Sequence, residues 1–524
     1  MDTTTEELLS KKSNTLILTN LLFKNLTSVI LLISIALILQ YHWNRRRLYI
    51  MARQVHGPIA WPIIGSALWF FGSTENILNN VWILATTFKP PLAVWLGQKL
   101  FFAISSPQHL ETIMNSPHAL EKDSLYKFAE AVTGKGLFTA KVSIWRKHRK
   151  LIMQTFNQKV LNGFIPIFEQ QAKILTNDVF AEYVGKGDFE TFNLMSKFTL
   201  DTVCETMMGI KMNAQKKDCQ YVDWINKALE ICYLRMFQLW YHSDFIFNRT
   251  KMAKEMKYAI HNINNFTSEL VREKRKEYKQ RKIESTEAES NECPIKRKAL
   301  LDYLIELSEE SSKFTDDEIV DEVNTIIVAG NDSTATMNSF TLVMLGMHQD
   351  IQEKVYSELE DIFGDEDRSF TCEDLTRMKY LERVIKETLR LFPVGPVIVR
   401  AITEDVKLDT FTMPKGSSTV ITIIHTHRNP EIWPNPLKFD PDRFLPEEVS
   451  KRHPYAFVPF SGGPRNCIGI KYAMMSMKVV IATIVRRYKI FTKFKEVADI
   501  KLKSELIIKS ASGNAISLEE RKNA

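Results

Sequence analysis

Residues 460–469 read Phe-Ser-Gly-Gly-Pro-Arg-Asn-Cys-Ile-Gly and pass into a helical pattern from Ile470. The chain must therefore set one cysteine in a glycine- and proline-bent loop against the start of a helix. Gly462, Gly463 and Pro464 mark a tight turn, and Gly469 leaves room for a close approach to the backbone. A helix N-terminus offers unpaired amides and the positive end of a dipole, which favour a thiolate over a thiol. Arg465, two residues before the sulfur, can reach an anionic group on whatever the sulfur binds. An unpaired cysteine in a plain setting is most often a small buried hydrophobe; this setting makes Cys467 a candidate ligand.

The other cysteines, Cys204, Cys219, Cys232, Cys293 and Cys372, lack a paired spacing. They fit neither a disulfide framework nor a zinc module, which suggests a reducing compartment. With 45% hydrophobic and 25% charged residues, the 524-residue chain can bury a large core, although length alone does not set the domain count. The net charge of +7 is mild, and no arginine-rich block with interleaved aromatics points to nucleic acid. A mildly basic surface suits an acidic protein partner or an anionic membrane, and equally a solvated surface with no special use. There are no internal repeats.

From Leu26 to Trp43 the chain is uncharged and mostly aliphatic. At about 1.5 Å per residue such a helix reaches across a bilayer core, with Lys24 snorkelling at one end. A cleaved signal peptide competes with this reading, but no small-residue cleavage site follows and Arg45, Arg46 and Arg47 come at once. The arginines favour the cytosolic side. The expected organisation is a short lumenal N-terminus over 1–25, a transmembrane anchor over 26–43, a basic and proline-rich hinge over 44–65 around Gly57, Pro58, Trp61, Pro62 and Gly65, and the main body over 66–524.

Residues 70–270 show mixed helical periodicity and few turn clusters, which predicts a mostly helical body. Within it Trp145 and Arg149, four apart in a basic run, share one helix face and can address an anionic rim; the plain alternative is a wet face. From Arg272 to Lys298 the dense charge predicts a helix end and an exposed loop of no assigned function. Thr315 to Glu318 form a capping box that opens a long helix. Its apolar face is interrupted by Ala329, Gly330, Asn331, Asp332, Ser333 and Thr334. Mid-helix hydroxyls usually bond back to a carbonyl one turn earlier; beside a reactive centre an acid and an alcohol there can relay protons. Glu387 and Arg390, three apart, share a helix face, an arrangement that at a surface is worth little. Val397 to Arg400 reads as a strand.

The spacing of Phe460, Gly463, Arg465, Cys467 and Gly469 resembles the haem-ligand signature of the cytochromes P450. Residues 56–510 follow that family in order. The stretch from Phe156 to Phe168 and LDTVCETMMG at 200–209 resemble its family 4 clan, in an insect or other invertebrate form. The resemblance implies a mainly α fold, the helical prism of the family with a small β region, preceded by one transmembrane helix. It implies haem b with Cys467 as axial ligand to iron, a thiolate that favours cleavage of bound oxygen, in a pocket that includes Phe460. The amides near Ile468 and Gly469 would tune the sulfur.

On the same resemblance, Trp145, Arg149, Arg400 and Arg465 would clamp the propionates. Asp332, Ser333 and Thr334 would serve proton delivery, with Gly330 leaving room for oxygen. Glu387 and Arg390, joined by Arg443, would form a buried structural cluster. Two departures matter. Ser333 stands where threonine is usual, and Ala329 stands where many family 4 members carry a glutamate that esterifies the haem. The haem is therefore expected to be non-covalent, and the family 4 preference for terminal carbons of fatty acids is not taken over as an expectation.

The implied activity is monooxygenation of an apolar small molecule such as a fatty acid, hormone or foreign compound. The resemblance also implies electrons from NADPH through NADPH-cytochrome P450 reductase, with cytochrome b5 as a further donor, and the lack of an evident dinucleotide-binding fingerprint agrees with an external source. Lys147, Lys150 and Lys471 are candidate reductase contacts. The expected location is the endoplasmic reticulum membrane, with the body on the cytosolic side. Rival readings are a reductase-independent haem-thiolate isomerase or dehydratase, and a non-catalytic haem-binding sensor.

Overall fold

The computed structural model describes residues 3–287, 299–364 and 366–521; the end of the charged run, 288–298, lies outside them. The chain divides into two compact units, Met1–Val55 and His56–Ala524. The first is essentially one helix, α1 (Thr3–Ala52). Within it, the stretch Leu21–Ala52 is long enough, and apolar enough over an 18-residue window of mean hydropathy 2.2, to cross a membrane. The helix does not give way to a hinge at residue 44. Arginine is a good helix former, and Arg45 and Arg46 lie over the rings of Tyr41 and Trp43 at 5.0 and 4.5 Å, so the basic residues continue the helix.

In the second unit the helices that frame the site are α2 (Val142–Ile152), α3 (Phe192–Val203), α4 (Tyr221–Phe237), α5 (Lys251–Glu287), α6 (Asp316–Met347), α7 (Lys379–Leu391) and α8 (Ile470–Arg487). The strands that matter are β1 (Leu92–Leu96), β2 (Lys99–Ile104), β3 (Ile398–Ala401), β4 (Ser418–Ile421), β5 (Leu502–Glu505) and β6 (Ile507–Ser510). One sheet runs β1-β2-β4-β3, with β2 and β4 parallel and the other neighbours antiparallel; β5 and β6 form a separate hairpin. The body is mainly helical with small sheets, as the resemblance implied.

Helical periodicity did not reveal β1 and β2. Their residues form a nearly continuous apolar run that periodicity cannot distinguish from a buried helix, and Gly97, at φ +59°, makes the turn between them. Gly57 is not part of a plain linker, because a Cβ there would sit 2.0 Å from the Ala93 carbonyl oxygen. The segment is pinned to β1 by backbone bonds from Ala93 to His56, 2.8 Å, and from Ser66 to Trp95, 2.6 Å.

Helix α6 runs through the centre and is buried along most of its length. Its start is fixed by the expected capping box: Glu318 N–H donates to Thr315 Oγ1 at 3.2 Å, and Thr315 N–H donates to Glu318 Oε2 at 2.9 Å. Asn331 clips it to α3, donating to the Ser196 carbonyl at 2.6 Å while its own carbonyl accepts from Thr199 at 3.1 Å.

Candidate active site

A cavity of about 380 Å³ lies between α6 and the loop 460–469. The loop's path is set by its glycines and one backbone bond. Gly463 has φ +66°, and a Cβ there would meet the Met114 carbonyl oxygen at 2.0 Å. The Cys467 N–H donates to the Phe460 carbonyl at 2.9 Å. The turn delivers Cys467 to the cavity wall three residues ahead of Ile470, the first residue of α8. Burial pushes the Cys467 thiol up, while the Gly469 amide and the Arg149 charge pull the other way.

Four cations line the cavity, Lys122, Arg149, Arg400 and Arg465, and no aspartate or glutamate is among its described lining residues. Arg149 is held by the loop itself, donating to the Asn466 carbonyl at 2.8 Å and to its side-chain oxygen. Arg465 donates to the Ala140 carbonyl and stacks 4.8 Å from the Trp145 ring. Arg400 Nη1 and Arg465 Nε and Nη1 are buried with no hydrogen-bond partner. Burial lowers Arg465 to about 10, and it pushes Lys122 well below its ordinary range, helped by the charges of Arg400 and Arg465. Buried donors of one sign with unmet N–H groups call for an anion. A flat apolar group bearing two carboxylates, facing a thiol, fits this wall, so haem is compatible with the residues present.

Sequence reasoning missed Lys122. A single lysine outside any motif reads as a surface charge, and only the fold turns it over the rings of Tyr126 and Phe138, at 4.4 and 4.6 Å. The basic run around Trp145 is also not uniformly wet. His148 is buried and bonds Glu322 of α6 at 2.7 Å, which fixes α2 so that Trp145 and Arg149 face the cavity. Lys147, Lys150 and Lys471 are exposed.

Across the cavity, α6 presents Ala329, Gly330, Ser333 and Thr334. The Ser333 hydroxyl donates to the Ala329 carbonyl one turn back. Gly330 does more than leave space: a Cβ would sit 2.9 Å from Val203 Cγ2, so glycine lets α3 approach α6.

Asp332 departs from expectation. It does not line the cavity; it is fully buried on another face of α6, 3.2 Å from Lys509 Nζ of β6. Helical geometry explains the split, since neighbouring residues lie about 100° apart around the axis and cannot all face one side. Burial raises the Asp332 carboxyl, opposed by the Lys509 charge.

Glu387, Arg390 and Arg443 lie away from the cavity in one cluster. Arg390 is fully buried and grips Glu387 at 2.7 and 2.8 Å, while Arg443 Nε lies 3.4 Å from Glu387. Arg390 also donates to the carbonyls of His427 and Pro436, tying α7 to the chain that leads toward the cysteine loop.

A family model described as cytochrome P450 matches residues 55–516. The chain is 37% identical over 487 residues to cytochrome P450 4c21 of Blattella germanica, covering 93% of this chain and 96% of that protein. It is 36% identical to cytochrome P450 4g1 of Drosophila melanogaster, covering 94% and 93%. It is 34% identical to cytochrome P450 4V2 of Mus musculus, covering 88% and 89%. The heme domain of cytochrome P450DA superposes with a TM-score of 0.74 at 21% identity, over 90% of this chain and 98% of that one. At that identity the likeness speaks for the fold alone.

Proposed function

The chain belongs to the cytochrome P450 family and is a monooxygenase of it, and from that premise we propose that it inserts one oxygen atom from O2 into an apolar small molecule at the cavity between Cys467 and α6. The family implies haem with cysteine-ligated iron, and the residue assigned to that bond is Cys467. When bound, the haem supplies oxygen activation. The observation that carries the reading is the opposition, in one cavity, of a thiol with unpartnered buried cations and a helix stretch of small and hydroxyl-bearing residues.

Each residue's part follows from its position. Arg400, Arg465 and Lys122 would hold the carboxylates of the haem, and Trp145 backs Arg465. Arg149 braces the cysteine loop through Asn466 and adds positive potential at the sulfur. Thr334 and Ser333 hold hydroxyl protons at the cavity wall. Asp332 is not at the cavity wall; it pairs with Lys509 at 3.2 Å on another face of α6. With alanine at position 329, the haem would be held without an ester there. Acid and organic extraction should therefore strip it completely, and retained haem would reject this point.

Electrons are assigned to NADPH-cytochrome P450 reductase, with cytochrome b5 as a second donor and exposed Lys147, Lys150 and Lys471 as contacts. The site is assigned to the endoplasmic reticulum membrane. Helix α1 supports membrane anchoring. So do the outward-facing Ile59, Trp61, Ile63 and Phe71 of the body, exposed to 76, 57, 78 and 67%.

The test is NADPH oxidation by the purified protein with and without reductase, followed by mass analysis of products formed under isotopically labelled O2. Reductase-dependent consumption with one labelled oxygen in the product is expected. Conversion of substrate without reductase or O2 would favour the isomerase or dehydratase reading.

A further inference from the structure

The part of the cavity built by α4 and the β5–β6 hairpin differs in chemistry from the cationic edge. Tyr233 of α4 and Ser504 of β5 both line it. The Ser504 hydroxyl is buried, 1% exposed, with no hydrogen-bond partner. Burial pushes the Tyr233 phenol well up, and the neighbouring Ser504 hydroxyl opposes that rise. Between the strands Leu506, which also faces the cavity, holds φ +68°. A leucine in the left-handed region is strained and marks a tip held in place by its surroundings.

We propose that Ser504 and Tyr233 form a head-group site for an uncharged oxygen, a hydroxyl or a carbonyl, on a lipid-like substrate, and that this site rejects carboxylates. The inference rests on the monooxygenase reading and names its substrate class. Two neighbouring hydroxyls can satisfy each other with one O–H, which leaves the second to donate to a ligand oxygen. A buried hydroxyl without a partner is costly, and a ligand acceptor relieves that cost.

A carboxylate would need a counter-charge as well. The hairpin's own buried cation, Lys509, is already taken by Asp332 at 3.2 Å, Glu505 at 3.1 Å and Asn226 Oδ1 at 2.8 Å. Glu505, next to Ser504, is itself buried and pairs with Lys503 at 2.6 Å as well as with Lys509, so neither lysine of the hairpin is left to balance an incoming anion. An unpaired anion buried there is strongly disfavoured.

The experiment titrates the full-length ferric haem protein in lipid nanodiscs with dodecan-1-ol, methyl dodecanoate, dodecanoate and dodecane, reading the Soret shift at equilibrium. The alcohol and ester should bind at least about tenfold more tightly than dodecanoate. Ser504→Ala should weaken both by about fivefold, the value of one hydrogen bond, and leave dodecane unchanged; Tyr233→Phe should act in the same direction. Dodecanoate binding as tightly as the ester, no response to alcohol or ester, or an equal loss for dodecane in Ser504→Ala would overturn the proposal. If the protein has a thiolate-haem spectrum and prefers dodecanoate, this inference alone fails. If that spectrum is missing, the monooxygenase reading fails and this one falls with it.

Discussion

Arg400 and Arg465 carry buried N–H groups that meet no protein acceptor, and a bound dianion is the simplest partner for them. A hydrogen bond to a charged group is worth about 1.5 to 3 kcal/mol. Arg400→Gln should therefore speed haem loss by roughly ten- to a hundredfold, measured by haem transfer to excess apomyoglobin; an unchanged rate would remove Arg400 from the haem edge. The sequence made Arg400 and Arg465 legible because a motif or a strand surrounds each. Lys122 was not legible, since its role depends on a fold that brings residues 122, 400 and 465 together. Asp332 was visible as part of α6, but the turn of the helix puts it on another face than Ser333, and its partner there, Lys509, is far away in sequence.

At the scale of elements, the cysteine loop is held by its neighbours as much as by its glycines. His427 accepts a hydrogen bond from the Val458 N–H at 2.9 Å, just ahead of the loop, and burial lowers its pKa to about 3. The folded value lies below the unfolded value of about 6.5. The folded state thus binds fewer protons, and the contribution to stability is complete above pH 6.5 and erodes as pH falls toward 3. The slope is at most about 1.4 kcal/mol per pH unit. His427→Gln keeps an acceptor without titrating. Denaturant melts from pH 7.5 down to pH 4.5 should show a steeper loss for the parent than for the variant, and parallel slopes would contradict this account. Helix α6 was readable from its capping box and apolar face, while β1 and β2 were hidden by an apolar run with no alternation.

At the scale of the molecule, one buried ion cluster joins α7 to the chain leading into the cysteine loop. Arg390→Ala would leave Glu387 buried without its main partner, at a cost of about 3 to 5 kcal/mol. The loss should appear as a lower unfolding midpoint and poor holoprotein yield, and a variant of parental stability would count against it. The mainly helical class and the membrane-compatible segment could be read from composition and periodicity. Where α1 ends could not, because arginines continue a helix as readily as they begin a linker.

The central claim is that Cys467 is the ligand that defines the chemistry. It is tested most directly by the spectrum of the reduced, carbon monoxide-treated full-length protein beside that of Cys467→Ala. The account predicts the red-shifted Soret band of a thiolate-bound haem in the parent and its loss in the variant. The same band in both proteins, or none in a haem-loaded parent, would contradict it.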